Sequence, residues 1–438
     1  MANARKEAIN ALLKIETDEA YSNIIVDKML DASGLEMRDK ALATTIIYGT
    51  LERKITLEYI ISKYSKTPLK RIKPFILFVL ETALYQILYM DKIPDSAAVN
   101  EAVKIVRKSK MHNLSGFVNA ILRAFLRDEK EIEYPVDKLK YLSVKYSVSE
   151  SIAGLFLEQF GNVAEDILKG FFELEGTMIK VNTLKISVDS LKKKLSENCD
   201  VSIHPLCEEV LILKGAGSIK ELYGYNEGYF HVLDAASAIC AKIVDAKPGD
   251  RVIDVCAAPG GKSFSIAESM GDNGEVLALD LYPHKVELIK KGASRLGLSS
   301  IKSFVNNAEI YNSDLGRFNK VLCDLPCSGL GILGKKPEIR YKNVAFVDNL
   351  KVLQYHLLQA SKLYVEKGGN LYFSTCTLTE KENYETVRRF LAENDEFEPL
   401  KIGGDIQKTD KDFDNTLTLL PHIHKTDGFF ISAFKRVR

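Results

Sequence analysis

The sequence has almost no charge of either sign to spare: 60 Lys and Arg stand against 59 Asp and Glu, a formal net charge of +1. Composition alone therefore announces neither a nucleic-acid partner nor an acidic membrane surface. A long uninterrupted apolar run is also missing. The strongest stretch, PFILFVLETALYQILYM from Pro74 to Met90, is broken by Glu81, Thr82 and Gln86, which suits a buried helix and not a membrane span. The opening MANARKEAINALLKIE has no apolar core leading to a small-residue cleavage site, so no export signal is expected. Cysteine is sparse: seven residues, an odd number scattered along the chain, argue against a disulfide framework and for free thiols in a reducing, cytoplasmic setting. No metal is expected either. PHIHK sets His422 and His424 two apart, but no cysteine or acidic cluster accompanies them, and a surface loop is the plainer reading. Nothing indicates an oligomer.

What is present is enough for several domains, because 438 residues exceed what one hydrophobic core usually serves. From Ala4 to about Leu126 apolar residues recur at helical period, as in Ile9, Leu12 and Leu13 or Val99, Ala102, Val103 and Val106. An all-α domain over residues 1–134 is expected, ending in the charged stretch RDEKEIEY before Pro135. Two basic segments inside it, KYSKTPLKRIK (63–73) and KIVRKSKMHN (104–113), are candidates for neutralising phosphates or simply solvated faces. Over 135–229, helices such as ESIAGLFLEQFG alternate with the strand-like TMIKVNT and EVLILK, which predicts a helical linker and a small α+β, RRM-like module. From 230 to 438 the pattern is strand, turn, helix, repeated. DRVIDVCAA, GEVLALD, IKSFVNN, NKVLCD and NLYFSTC are short apolar runs ending in polar or small residues, so a mostly parallel α/β sheet of Rossmann-like form is expected, with GFFISAFKR adding an edge strand.

Ligands of such sheets sit at the carboxyl ends of the strands, and the informative motifs all lie there. DVCAAPGGKS (Asp254 to Ser263) would let backbone N–H groups approach a ligand closely. A phosphate-binding P-loop would need Gly where Cys256 stands, and no G-x-G-x-x-G is present. An adenosyl-ligand loop remains, supported by Asp280 at the end of the next strand, where a carboxylate can accept both ribose hydroxyls. A purely structural Gly-Gly turn is the alternative. Downstream, CDLPCSGLG carries Cys323 and Cys327 and NLYFSTCTLTE carries Cys376, three thiols of which residue type alone selects none as a nucleophile. Cys323 lies within an apolar strand and reads as a packing thiol.

Taken together, DVCAAPGGK, DLPCSGLG and STCTLT resemble, in order and spacing, the motifs of RNA cytosine-C5 methyltransferases. The helical N-terminus, especially AVNEAVKIVRKSKMHNLSGFVNAILRAF, resembles the NusB-like RNA-binding domain of the bacterial RsmB (Sun/Fmu) branch, so the resemblance spans nearly the whole chain. It implies an S-adenosylmethionine-dependent methyltransferase acting on a cytosine of 16S rRNA, with cytosine-967 as the family's site. The same chemistry on tRNA or another RNA, and a non-catalytic NusB-like RNA-binding factor, are the alternatives.

The chemistry explains the thiols. Cytosine C5 is a poor nucleophile until a thiolate adds to C6, and the adduct must later lose its C5 proton and expel the thiolate. The resemblance implies Cys376 as the attacking residue and Cys327 as the one that assists release. Asp324 is expected to bind the exocyclic amine of a flipped base, or alternatively to cap a nearby N–H. Cys256, Ala257, Ala258, Pro259, Gly260, Gly261 and Lys262, with Asp280 and Asp324, are expected around the cofactor. Asn307 in VNNAE stands where the family usually has Asp beside the adenine amine; its side-chain oxygen can still accept that bond. KKPEIRY (Lys335 to Tyr341) is expected either to hold phosphates beside the base or to form a solvated loop.

Overall fold

A computed structural model describes residues 3–18, 26, 29–30, 32–174 and 176–438. They divide into two compact units: the described residues up to Glu165 together with 335–344, and 166–334 together with 345–438.

The first unit is helical. Helices α1 (Ala4–Asp18), α2 (Met37–Tyr64), α4 (Asp95–Arg107) and α5 (Ser115–Arg127) each bury one face, around α3 (Pro74–Tyr89), which is buried on nearly all sides. Leu12, Ile46, Ile61, Leu80, Val106 and Phe125 meet in a common core. The broken apolar run is indeed the buried helix α3: Pro74 sits at its first turn, where a missing N–H costs nothing. Glu81, fully buried there, has its pKa raised well above the carboxylate range by burial. Two further helices, α6 (Lys138–Tyr146) and α7 (Glu150–Phe160), start on Asp137 and Ser149, whose side chains accept the Lys140 and Ile152 amides. Each such cap stabilises its helix by about 1 kcal/mol.

The segment 335–344 belongs to this helical unit. Arg340, with no exposed surface, donates to the Tyr146 carbonyl at 2.9 Å and faces Glu52 of α2 at 3.6 Å. Its own carbonyl accepts the Ser149 amide at 2.7 Å. KKPEIRY is therefore neither a phosphate clamp nor a solvated loop at Arg340: the side chain is buried against protein, and burial draws the guanidinium pKa down to about 10. Lys335 and Lys336 of the same segment are exposed; Arg340 differs because its partners, Tyr146 and Glu52, lie far away in sequence.

The second unit opens with α8 (Ala164–Glu173), which straddles the division, and a four-stranded antiparallel sheet, β2–β3–β1–β4, formed by β1 (Thr177–Val181), β2 (Asp200–His204), β3 (Cys207–Lys214) and β4 (Phe230–Val232). Helix α9 (Val188–Leu195) covers it, with Leu191 and Leu195 packed on Ile179, Leu211 and Phe230. Strand β2 is mostly exposed and carries a register shift at Ile203/His204, so no alternation marks it in sequence.

After α10 (Ala235–Val244) comes an eight-stranded sheet. Its parallel part comprises β5 (Arg251–Asp254), β6 (Glu275–Asp280), β7 (Ile301–Val305), β8 (Phe318–Asp324) and β9 (Val365–Thr375). Helices α11 (Gly261–Ser269), α12 (Pro283–Leu296), α13 (Val347–Ser361) and α14 (Tyr384–Glu393) fall between or after these strands. This is the mostly parallel Rossmann-like sheet that the strand–helix alternation predicts. The closing GFFISAFKR behaves differently from expectation. It forms β12 (Phe429–Arg436), an inner strand antiparallel to β9, while β10 (Phe397–Pro399) takes the edge and β11 (Thr416–Leu419) also pairs with β12. Its burial on both faces explains the near-continuous apolar run.

Candidate active site

Across the sheet the strands run β7–β6–β5–β8–β9. The chain leaves β5 in one direction and returns to β8 on the other side, so β5 and β8 flank the switch point where an open α/β sheet leaves a crevice. Three of these strands end on acids: Asp254, Asp280 and Asp324.

The 256–262 loop is pinned between neighbours of β5. The Val255 amide donates to Leu322 of β8 at 3.1 Å and the Ala257 amide to Leu279 of β6 at 2.7 Å. Gly260 has φ +111°, and a Cβ there would lie 2.3 Å from the Phe264 ring; one on Gly261 would lie 2.6 Å from Leu233. Glycine at these two positions leaves room for the Phe264 ring and the Leu233 side chain and permits the positive φ of Gly260, and the first N–H groups of α11 are directed out of the helix. Beneath the loop, Asp254 accepts Ser263 Oγ at 2.7 Å through Oδ2, while its buried Oδ1 has no hydrogen-bond partner among the described residues. Burial, only partly offset by the Ser263 bond, pushes this carboxyl up to about 7.

Asp280, nearly buried, accepts the Tyr282 amide at 3.2 Å and lies 3.7 Å from Lys285 Nζ. Asn307 follows β7, the edge strand, and is exposed; its Oδ1 accepts the Glu309 amide at 3.0 Å in a local turn. Lys262 points the other way, toward β8. Its Nζ lies 2.8 Å from Asp324 Oδ2 and 5.0 Å from the Phe429 ring centroid. Burial would depress this ammonium, but the Asp324 carboxylate outweighs it and keeps the pKa above that of an ordinary lysine. Asp324 Oδ1 accepts Ser374 Oγ at 2.8 Å, so both carboxylate oxygens are engaged.

The parallel register explains how the thiols meet. Asp324 of β8 pairs with Ser374 of β9, so the residues just beyond both strand ends emerge side by side. Cys327 Sγ lies 3.1 Å from Cys376 Sγ, across 49 residues of sequence, and both are half-buried. The hydrogen bond to Cys376, reinforced by burial, holds the Cys327 thiol well above the usual cysteine range. Cys323 is elsewhere. It is fully buried on the opposite face of β8 among Ile253, Val321 and Phe373, and burial pushes its thiol up to about 12. Cys256 borders the same core, and burial raises its thiol well above the ordinary value.

Several residues of this site carried no sequence signal. Glu382, fully buried, accepts the Ser328 amide and Gln354 Nε2 at 2.9 Å each through Oε1, and Ser328 Oγ (2.6 Å) and Thr379 Oγ1 (2.7 Å) through Oε2. Gly331 and Gly428 bring a third loop against the thiol pair: Gly331 N donates to the Cys376 carbonyl at 3.0 Å, and Gly428 N to the Gly331 carbonyl at 2.7 Å. An acid six residues past a cysteine looks like any loop acid until its partners are known. His424, in turn, is no surface-loop residue: it is buried, with both ring nitrogens engaged by the Leu420 amide and the Gln407 carbonyl.

The residues brought together fall into two groups. Along β5–β7 lie a glycine-framed helix start, an unsatisfied buried carboxyl and a strand-end carboxylate, a donor and acceptor set that fits an aminoacyl nucleoside such as S-adenosylmethionine. Along β8–β9 lie two thiols in contact and an Asp–Lys pair.

Comparison with known proteins shows the family. The family model described as 16S rRNA methyltransferase RsmB/F matches residues 241–435, and that of the NusB family matches residues 2–127. The probable ribosomal RNA small subunit methyltransferase B of Bacillus subtilis is 34% identical over 99% of both chains. A protein of the same description from Synechocystis is 32% identical over 100% of both. Among solved structures, that of PH0851 superposes with a TM-score of 0.82 over 99% of this chain and 98% of its own, at 24% identity, which speaks for the fold.

Proposed function

The chain belongs to the ribosomal RNA small subunit methyltransferase B family, and from that premise we propose that it transfers a methyl group from S-adenosylmethionine to C5 of a cytosine in 16S rRNA, through a covalent bond between Cys376 and C6. The observation that carries this reading is the contact between Cys327 and Cys376 at adjoining strand ends, because the reaction needs one thiol to add to C6 and is helped by a second group close enough to that sulfur to assist its release.

Adenosylmethionine supplies the electrophilic methyl group when bound. The 256–262 loop and Asp280 would hold it: the first N–H groups of α11 would serve its anionic carboxylate, and Asp280 would accept the ribose hydroxyls. Asn307 would accept the adenine amine in place of a carboxylate, without the charge. Asp254, by accepting the Ser263 hydroxyl, ties the first turn of α11 to the end of β5 beneath the loop.

On the nucleic-acid side, Asp324 would bind the exocyclic amine of a cytosine turned out of its stack. An ionised carboxylate offers about four acceptor positions, and Lys262 and Ser374 occupy two, so capacity remains for the base. Cys376 adds to C6 as thiolate, which makes C5 enamine-like. After methylation C5 loses its proton to a base, and the electrons of the S–C6 bond return to Cys376. Cys327, whose proton is held tightly, is placed to donate a hydrogen bond to that sulfur as it departs. Methylation of 16S rRNA transcript and of RNA from a deletion strain tests the target, with bisulfite sequencing naming the base. Cys376→Ala is expected to abolish methylation and Cys327→Ala to accumulate a covalent protein–RNA adduct; full methylation by Cys376→Ala would overturn the assignment.

A further inference from the structure

Cys327 sits in an irregular stretch: residues 325–329 belong to no helix or strand, so no backbone ladder holds its sulfur. Something else must fix it, since a sulfur displaced by about 1 Å from a reacting centre loses on the order of a hundredfold in rate. The hydrogen bonds around its two neighbours identify what does. On one side, Gln354 Nε2 of α13 donates to the Pro326 carbonyl at 3.0 Å. On the other, Ser328 gives both its amide and its hydroxyl to Glu382. Gln354 donates to Glu382 as well, at 2.9 Å, so both flanks of Cys327 hang from one buried carboxylate.

The same group reaches the loop of the second thiol. Thr379, three residues past Cys376, donates to Glu382 at 2.7 Å, and Thr377, the residue after Cys376, lies 2.6 Å from the Ser328 hydroxyl. Because Ser328 Oγ gives its proton to Glu382, it accepts from Thr377. Four donors converge on two oxygens that lack any exposure, the pattern that an ionised carboxylate, an acceptor only, satisfies in full. A buried charge so completely paired is a costly way merely to join two loops, which apolar packing would do as well.

We propose that Glu382 is a positioning residue that locks the Cys327 loop to the Cys376 loop, and that its loss stalls the reaction at the covalent protein–RNA stage. The inference rests on the assignment of Cys376 to attack and Cys327 to release. Glu382 touches neither base nor cofactor; it acts through Ser328 and Gln354. Its negative charge, close to Cys327, also favours the neutral thiol that serves as donor.

The test compares full-length wild type, Cys327→Ala, Glu382→Gln and Glu382→Ala on labelled 16S rRNA transcript with adenosylmethionine, reading multiple turnover, methyl transfer in a single turnover and adduct on denaturing gels. Glutamine keeps the size of the side chain, and Ser328 and Thr379 hydroxyls can reverse to accept from its amide, so Glu382→Gln is expected to melt near wild type. Its turnover is expected to fall on the order of tenfold or more while single-turnover transfer persists and adduct accumulates, as in Cys327→Ala, with Glu382→Ala more severe. Wild-type turnover without adduct in Glu382→Gln, beside clear adduct in Cys327→Ala, overturns the inference and leaves the thiol assignment standing. Loss of both partial reactions in step with a lowered melting temperature in Glu382→Gln also overturns it, since the carboxylate is then a fold determinant only. Absence of adduct from Cys327→Ala defeats the release assignment, and this inference with it.

Discussion

Gly331 and Gly428 lie back to back beside the thiol pair: the Gly428 amide donates to the Gly331 carbonyl at 2.7 Å, and a Cβ on Gly331 would sit 1.9 Å from the Gly428 carbonyl oxygen. The obstacle is backbone on both sides, which cannot swing away as a side chain can. Gly331→Ala is therefore expected to push apart the loops bearing Cys327 and Cys376, destabilising the protein by about 1–3 kcal/mol. Denaturant melting checks the stability, and the methylation assay is expected to show a larger loss than the shift in midpoint explains.

Asp280 is predicted to matter for the cofactor and not for RNA. Charged hydrogen bonds of the kind it would make to ribose hydroxyls contribute about 1.5–3 kcal/mol, so Asp280→Ala is expected to weaken adenosylmethionine binding by roughly 10- to 150-fold. Calorimetric titration measures this directly. Unchanged affinity would remove Asp280 from the cofactor site.

Asp254 predicts a pH dependence. Its carboxyl, pushed up to about 7 by burial from a usual 3.8, keeps in the native state a proton that the unfolded chain has already shed. Stability from this group is thus fully present below about pH 4 and is lost as pH rises toward 7, by at most about 4 kcal/mol. Glu268, also raised to about 7 by burial, slopes in the same direction. The difference between wild type and Asp254→Asn isolates the first group: the variant is expected to lose less stability between pH 4 and 7, which urea unfolding at several pH values would show.

Arg340 predicts a stability effect inside the helical unit. Arg340→Ala leaves the Tyr146 carbonyl without its donor and opens a cavity, while Glu52, partly exposed, regains water. A loss of about 2–4 kcal/mol is expected, and less for Arg340→Met, which refills the volume. Thermal melting distinguishes them. Salt titration of RNA binding is expected to be unchanged in slope, since this cation contacts no phosphate.

How much of this was legible beforehand depends on which interactions were local. The strand-end motifs were readable because apolar runs that stop at Asp254, Asp280 and Asp324 reflect a sheet buried on both faces, a property of neighbouring residues. Cys323 could be set aside as a packing thiol for the same reason, its place inside an apolar run. GFFISAFKR was recognisable as a strand but not as an inner one, because what covers a strand's edges is decided by β9 and β10, not by β12 itself.

Glu382, Ser374 and Arg340 mark the opposite limit. Each looks like an ordinary polar residue of a loop, strand or charged segment, and each owes its role to partners 28 to 194 residues away: Gln354, Asp324 and Tyr146. By itself the sequence determined the order of helical domain, small sheet and parallel sheet, and the chemical kinds of group available at the strand ends, because periodicity and strand termination are written in adjacent side chains. Only the tertiary structure decided which groups touch. The β8–β9 register brings Cys327 to 3.1 Å from Cys376, and a buried carboxylate holds the loops that carry them, since contacts closed over long loops are set by packing and not by the local chain.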